Sequence, residues 1–245
     1  MIKILCYIVV PILLGIIGCG DVRITSIGPA ENFINSVIER INYTETNVSL
    51  MAKPAEAAAK RLISGGRLFI TDDESLFLSG DDKVRISEAG VVYTIHDQSG
   101  GFVAEACHRA GGLGFSEPLS DEVNLTAADV VLIGTLDLHP EEQRAHITAI
   151  KQKGTLVIVF GSGESSVAPM ADFVIDNGLS AGLVPVFDIG TYKPTGPLAG
   201  IANIINMWTY TAELVSACTR QGKMPTLWQS MFVPGAEARN ERIGK

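Results

Sequence analysis

Residues 129–160 read DVVLIGTLDLHPEEQRAHITAIKQKGTLVIVF and determine the fold class of the chain. The runs 129–134 and 155–160 are almost continuously apolar, as is typical of strands buried on both faces. The segment between them predicts a helix that begins at Pro140 and ends before Gly154. Two such strands joined by a helix indicate a parallel pair with a right-handed crossover.

The same alternation of apolar runs and helical patterns continues on both sides of this stretch. We therefore predict an α/β fold, a doubly wound, flavodoxin-like three-layer sandwich with a mainly parallel sheet. The predicted segments on the N-terminal side are one or two helices within 31–64, a strand at 67–71, a hairpin around 91–95 and a helix over 101–110. Those on the C-terminal side are a strand at 173–176, a long, mostly buried helix over 196–221 and an irregular tail over 223–245.

The composition of the chain excludes several classes of protein. Of the 245 residues, 47% are apolar and 19% are charged, which excludes intrinsic disorder for most of the chain. There are 27 acidic and 19 basic residues, and the net charge of −8 comes without any long Lys/Arg run. Nucleic acid is therefore excluded as a partner, because phosphate binding needs a basic surface. The length suits one domain, which we place at 22–245.

The first 21 residues are predicted to be a targeting segment. Lys3 supplies a positive charge, and residues 4–18 form an apolar run shorter than the roughly 20 residues of a spanning helix. This run ends Ile-Ile-Gly-Cys, which resembles the lipobox of bacterial lipoproteins, with Cys19 as the lipidated residue. We expect an exported protein anchored to a membrane through Cys19. The alternatives are an ordinary signal peptide, an uncleaved anchor, or a mistaken start codon on a cytoplasmic protein.

Export has a consequence for the cysteines that follow the targeting segment. Cys107 and Cys218 would then lie in a compartment that permits disulfides, although nothing in the sequence indicates that they meet.

Several motifs together resemble the SIS (sugar isomerase) domain, most closely the stand-alone proteins related to phosphoheptose isomerase. The motifs are the helix, Gly-Gly and strand of 57–70, AEACHRAGGL at 104–113, the strand–helix–strand of 129–160, ADFVIDNG at 171–178, and the tail 225–240 with its Ser230, Pro234-Gly235 and Asn240. The resemblance implies a domain that binds a sugar or a sugar derivative without a metal or another cofactor. It also implies aldose–ketose isomerisation as the activity of the family and a homodimer as its usual assembly.

Two loops depart from the family pattern. The family holds phosphate with a Gly-x-Gly-x-Ser turn and a Ser-x-Ser-Gly turn, whereas this chain has TDDES at 71–75 and GTLDLHPEE at 134–142. Carboxylates in both loops oppose an anion, at a cost of about 1 kcal/mol each in water and several in a cleft. A third stretch, GSGESS at 161–166, suits an anion site but also an ordinary turn with Ser165 as a helix N-cap. The predicted ligand-binding residues are Thr71, Ser75, Gly134, Thr135, Ser162, Gly163 and Ser165.

Three residues are candidates for acid–base chemistry. Glu105 matches the glutamate of the family segment and is the candidate base, and His108 lies three residues further along the same helical face. His139 precedes the helix that begins at Pro140, where it could open a sugar ring. Each also has a structural interpretation: a surface glutamate, a partly buried histidine and a helix cap. No CxxC, HExxH, Gly-x-Ser-x-Gly or Gly-x-Gly-x-x-Gly motif supports another chemistry.

These observations leave three functional hypotheses. The first is a SIS-like domain with degenerate phosphate loops that binds a carbohydrate derivative, with catalysis undecided. The second is an active phosphosugar isomerase in the cytoplasm. The third is a protein-interaction domain that has kept the fold without a sugar site.

Overall fold

The computed structural model describes residues 28–73, 84–86, 92–94, 101–182, 185–188 and 193–243. The predicted targeting segment with Cys19 lies outside the described residues, as does Ser75.

In the described part of the chain, five parallel strands form the central sheet: β1 (Leu68–Asp72), β4 (Ser116–Pro118), β5 (Val130–Gly134), β6 (Leu156–Gly161) and β7 (Phe173–Asp176). Their spatial order is β4-β1-β5-β6-β7. In chain order the sheet reads 2-1-3-4-5, which is the flavodoxin-like arrangement. The predicted fold class is confirmed, and the apolar runs of 129–160 are the central strands β5 and β6.

Helices cover both faces of the sheet. They are α1 (Pro29–Asn47), α2 (Ala52–Ile63), α3 (Phe102–His108), α4 (Pro140–Gln152), α5 (Leu198–Arg220) and α6 (Ala236–Ile243), with 3₁₀ turns at Val48–Met51 and Ala168–Met170. Alternate strand residues such as Ile70 and Leu132 pack with α2, α3 and α5, whereas Phe69 and Val131 pack with α4. The two apolar clusters on either side of the sheet explain why its central strands β5 and β6 are apolar throughout.

The long helix α5 agrees with its prediction in extent and in burial. It spans Leu198–Arg220, and Met207, Tyr210 and Leu214 are fully buried against the sheet and α2. No described helix has both the length and the apolar character needed to cross a membrane.

Four elements differ from the sequence prediction or were absent from it. The hairpin predicted around 91–95 has its strands at β2 (Val84–Ile86) and β3 (Val92–Thr94). A second hairpin, β8 (Pro185–Asp188) with β9 (Lys193–Pro197), was not predicted. The tail predicted as irregular contains α6, and the edge strand β4 was also missed.

Candidate functional site

The strand order reverses between β1 and β5, so the carboxyl ends of these strands are where such a sheet binds ligands. The chain continues from β1 into Asp73 and from β5 into Thr135 and Leu136, and all three residues are buried. The register pairs Asp72 with Gly134, which brings the described start of the first acidic loop beside the start of the second.

The carboxyl group of Asp73 lies between these two loops and is only 1% exposed. Its Oδ2 accepts a hydrogen bond of 2.5 Å from the backbone N–H of Leu136, in the loop that leads from β5 to α4. Burial raises the pKa of Asp73 to about 6, and the Leu136 amide and the side chains of Thr135 and Gln143 oppose this shift. Backbone amides of loops at the carboxyl ends of strands can bind phosphate, and here one of them binds a carboxyl group of the protein itself.

Asp137 likewise accepts hydrogen bonds from the Gly-rich turn at 161–166. Its backbone is left-handed, with φ 59°, and its amide donates to the Thr135 hydroxyl at 2.9 Å. The Asp137 carboxylate accepts hydrogen bonds from both the amide and the hydroxyl of Ser166. A carboxylate of the second loop therefore accepts from donors of the turn that the sequence analysis considered as an anion site.

A third carboxylate, Asp176 at the end of β7, was not predicted as part of the site. Its Oδ1 accepts hydrogen bonds from the amides of Gly163 at 2.9 Å and Gly178 at 3.0 Å. Its Oδ2 accepts one from the hydroxyl of Tyr43 on α1 at 2.7 Å. That hydrogen bond is the main cause that raises the pKa of Tyr43, because ionisation would remove the donated proton. The only sequence signal for Asp176 was its place in the ADFVIDNG motif.

Two buried asparagines of α5 form hydrogen bonds with the loops that follow β5 and β7. Asn203 donates to the backbone oxygen of Thr135 at 2.9 Å and accepts from the side chain of Asn177 at 2.8 Å. Asn206 donates to the backbone oxygen of Asp176 at 3.0 Å and accepts from Thr44 at 2.7 Å. This network fixes the loops after β5 and β7, and the apolar pattern of α5 did not predict it.

Three of the predicted ligand-binding residues, Thr135, Ser162 and Ser165, meet in one crevice at this edge. The crevice, as the described residues line it, is too narrow to admit a water molecule. Its lining is Thr135, Leu136, Asp137, Ser162, Ser165, Asn177, Ser180, Ala181, Gly182 and Ala199. The stretch after Ser165 forms turns and a 3₁₀ turn, so Ser165 is not the N-cap of an α-helix.

The other predicted ligand-binding residues lie outside this crevice. Thr71 is buried beneath the loops on β1. Gly134 makes room for the ring of Phe102, since a Cβ at this position would come within 2.5 Å of that ring. Gly163 is exposed and donates to Asp176. Their ligand-binding roles stay predictions.

Two of the three acid–base candidates, Glu105 and His139, do not line this crevice as the described residues form it. Glu105 on α3 forms an ion pair with Arg109, at 2.6 Å, one helical turn further on. His139 is exposed and occupies the N-cap position of α4. His108 ends α3, and its side chain lies outside what the structure describes. Among the described residues, no three His, Cys, Asp or Glu side chains are grouped as metal ligands.

The two buried cysteines are free thiols. Cys107 lies on α3 and Cys218 on α5, and they are unpaired. Burial raises the pKa of the Cys107 thiol to about 12, which keeps it protonated and unreactive at neutral pH.

Larger cavities lie at the opposite edge of the sheet, where the strands begin. One, of about 460 Å³, lies among the ends of α2, α5 and α6, and includes Ile63, Phe115 and Met224 in its lining. Another, of about 650 Å³, lies beside the starts of β6 and β7. Neither contains a predicted site residue, and parallel sheets bind ligands at the other edge. We therefore assign the candidate site to the carboxyl edge.

Comparison with solved structures gives matches of low sequence identity. A hypothetical protein is 14% identical, with a TM-score of 0.43 and coverage of 80% of this chain and 91% of its own. The Escherichia coli CFT073 protein c3406, in complex with a sugar phosphate, is 13% identical, with a TM-score of 0.43. The match covers 78% of this chain and 89% of that protein. A protein from Listeria monocytogenes, described as a candidate sugar-phosphate isomerase, is 16% identical, with a TM-score of 0.40. The match covers 76% of this chain and 91% of that protein.

No family model matches the chain, and no curated protein matches it. Similarity to solved structures at this level assigns no activity to the chain.

Proposed function

We propose that the chain is a SIS-like domain that binds an uncharged or amino sugar derivative and has lost the phosphate sites of sugar-phosphate isomerases. The observation that carries the loss of the phosphate sites is the buried hydrogen bond from the Leu136 amide to the Asp73 carboxyl group, and sugar binding is carried over from the resemblance to the SIS domain. A phosphate at this position would have to displace Asp73 and then lie against its charge. The hydrogen bonds from Ser166 to Asp137 support the same conclusion for the Gly-rich turn.

The arrangement of acid–base candidates favours binding over isomerisation. Proton transfer between adjacent sugar carbons needs a base within hydrogen-bonding distance of the substrate. Glu105 instead pairs with Arg109, and neither Glu105 nor His139 lines the crevice formed by the described residues. The active phosphosugar isomerase remains the alternative. Because the crevice formed by the described residues is too narrow for a water molecule, binding of any sugar there, with or without turnover, requires the surrounding loops to open.

Calorimetry with glucosamine 6-phosphate and glucosamine tests the proposal. We expect the phosphorylated sugar to bind at least tenfold more weakly than its parent, because two carboxylates face its phosphate. Asp137→Asn keeps the size of the side chain and removes one of these charges, so it should strengthen binding of the phosphorylated sugar. Glu237→Gln, which removes an exposed charge on α6, is the matched control. Micromolar binding of the phosphorylated sugar by the natural chain, with the parent tenfold weaker, would restore the isomerase hypothesis.

We also propose that the protein is exported and anchored through a lipid on Cys19. The support is the apolar run that ends Ile-Ile-Gly-Cys at residues 16–19. Expression in a bacterial host followed by intact-mass measurement should give a chain that begins at Cys19 and carries added lipid mass. A Cys19→Ala variant should lack that mass. Recovery of a natural chain that still begins at Met1 would contradict the proposal.

A further inference from the structure

Positive charge collects at the amino edge of the sheet, where the strands begin. Lys53, Lys60 and Arg61 of α2 line the cavity of about 650 Å³ beside the starts of β6 and β7. Lys153 follows α4 and precedes Gly154, whose backbone oxygen accepts a hydrogen bond of 3.0 Å from Arg61. We call Lys53, Lys60, Arg61 and Lys153 the basic edge. Its members come from two separate elements, so no Lys/Arg run in the sequence indicated it.

The charges of the basic edge are not neutralised within the described part of the chain. None of its side chains forms an ion pair with a described carboxylate. Asp172 is the acid among the described residues that line the cavity, and it pairs with Lys151. Arg61 donates to three backbone oxygens, which hold the guanidinium in place without cancelling its charge. The basic edge therefore keeps a net positive charge in a chain of net charge −8.

The helix ends explain only part of this pattern. Cations near the C-terminus of a helix offset its partial negative charge, and this accounts for Lys60, Arg61 and Lys153. Lys53 is the second residue of α2, where the helix end is positive and a cation is disfavoured. Its ammonium group lies 5.9 Å from the centroid of the Phe173 ring, which also lines the cavity. An anion bound at the basic edge would offset the unfavourable position of Lys53.

The carboxyl edge of the sheet has the opposite charge. The acidic residues at or just after the strand ends there are Asp72, Asp73, Asp137, Glu141, Glu142, Glu164 and Asp176. Because the strands of the central sheet are parallel, its amino and carboxyl edges lie at opposite ends. An anionic surface attracts the basic edge and repels the carboxyl edge, so these charges orient the molecule on such a surface.

We propose that the basic edge docks on the anionic headgroups of a membrane, so that the candidate site faces away from the membrane. This inference rests on the proposed anchoring through Cys19. Pro29, the first residue of α1, follows Cys19 by ten positions, which span at most about 35 Å, so the anchor keeps the domain within reach of the lipid. Clusters of Lys and Arg are attracted to anionic lipids in this way. A nucleic acid interface is larger and more strongly basic than this surface.

The number of cations sets the expected strength of docking. One Lys or Arg near an anionic membrane changes the docking equilibrium about fivefold. Lys60→Gln should therefore weaken docking about fivefold, and Lys53→Gln with Lys60→Gln should weaken it at least tenfold. Salt at about 1 M shortens the Debye length to about 3 Å and should abolish docking without releasing a lipid anchor.

Quenching by labelled lipids tests the proposal on the full chain in vesicles. Ser64→Cys places a fluorescent label on the wall of the cavity, and Ala145→Cys places the same label on the exposed face of α4. Cys107 and Cys218 are buried, and the natural chain treated in the same way gives the background from its own cysteines. Nitroxide-labelled headgroups should quench the label at position 64 in vesicles that contain phosphatidylglycerol, but not in vesicles of phosphatidylcholine alone. The label at position 145 should not distinguish the two kinds of vesicle.

Charge variants show whether the basic edge causes this quenching. Lys53→Gln with Lys60→Gln should reduce the quenching at position 64 to its value in phosphatidylcholine. Arg144→Gln is the matched control, because it removes a cation of α4 that pairs with Glu141 and lies outside the basic edge. Quenching that depends on phosphatidylglycerol and is unchanged in the double variant would overturn the proposal. So would a label that is shielded in both kinds of vesicle without lipid quenching, since a protein surface would then cover the edge.

Flotation of the same vesicles separates docking from anchoring. A chain that floats with both kinds of vesicle but is quenched equally in both at position 64 would overturn docking and leave the anchor in place. A chain that floats only with phosphatidylglycerol, and no longer does so in the double variant, would support docking and contradict the anchor. A chain that floats with neither would overturn both.

Discussion

Replacement of Phe160 with alanine is expected to lower the free energy of unfolding by about 3–5 kcal/mol. Phe160 is fully buried near the end of β6. Its ring centroid lies 5.3 Å from that of Phe102 on α3 and 5.4 Å from that of Tyr210 on α5, in tilted and edge-on arrangements. The substitution removes the aromatic contacts that join the sheet to two helices, and the surrounding main chain is too constrained to fill the cavity.

Urea unfolding measured by circular dichroism checks this expectation. Leu50→Ala is the matched control, because Leu50 is 70% exposed and its truncation should change the free energy of unfolding by less than about 0.5 kcal/mol. A loss below about 1 kcal/mol in Phe160→Ala would mean that the three rings do not form the core contact described.

The central strands could be predicted from sequence because both of their faces are buried. Such strands are apolar at every position, and Pro140 and Gly154 mark the ends of the helix between two of them. The same reasoning placed α5, whose apolar residues cover several faces. The switch point could not be located in the same way, because the reversal of strand order depends on β4, which was not predicted.

The elements that were missed lack these signals. The edge strand β4 has the sequence SEP, with one buried residue and no apolar run. The strands β8 and β9 contain prolines, which normally argue against a strand. The helix α6 has eight residues, mostly polar, so its position depends on contacts such as that of Arg239 with the Leu227 backbone oxygen.

The site could be predicted only in part, because its partners are far apart in the chain. The acidic residues of both loops were visible in the sequence, and their effect on an anion followed from charge alone. Their donors were not visible, since Leu136 is 63 residues from Asp73 and Tyr43 is 133 residues from Asp176. The left-handed backbone of Asp137, which accompanies its contact with Ser166, also has no sequence signal.

The buried carboxyl group of Asp73 is expected to make the protein less stable as the pH rises from 4 to 6. Its pKa is about 6 in the folded protein, raised by burial, and near 3.9 in the unfolded chain. Below pH 4, Asp73 is protonated in both the folded and the unfolded state, so its ionisation takes nothing from the free energy of unfolding. Between pH 4 and 6 the unfolded chain releases its proton while the folded protein retains it, so folding loses roughly 3 kcal/mol. Above the folded pKa the loss is complete.

Asp73→Asn should remove this dependence on pH, because asparagine keeps an oxygen that can accept from the Leu136 amide but does not titrate. The measurement is the free energy of unfolding in urea at several pH values, and the relevant quantity is the slope between pH 4 and 6.

Asp129→Asn is a control of opposite sign. Burial raises the pKa of Asp129, but hydrogen bonds from Arg67 and Thr126 outweigh burial and lower this pKa to about 2. The contribution of Asp129 to the free energy of unfolding is therefore lost only as the pH falls from about 4 to 2. Asp129→Asn should therefore flatten the profile below pH 4 and leave the slope between pH 4 and 6 unchanged. An Asp73→Asn protein with the natural slope in that range would show that Asp73 is ionised at pH 5 and that its carboxyl group is not held in the buried position between the two loops.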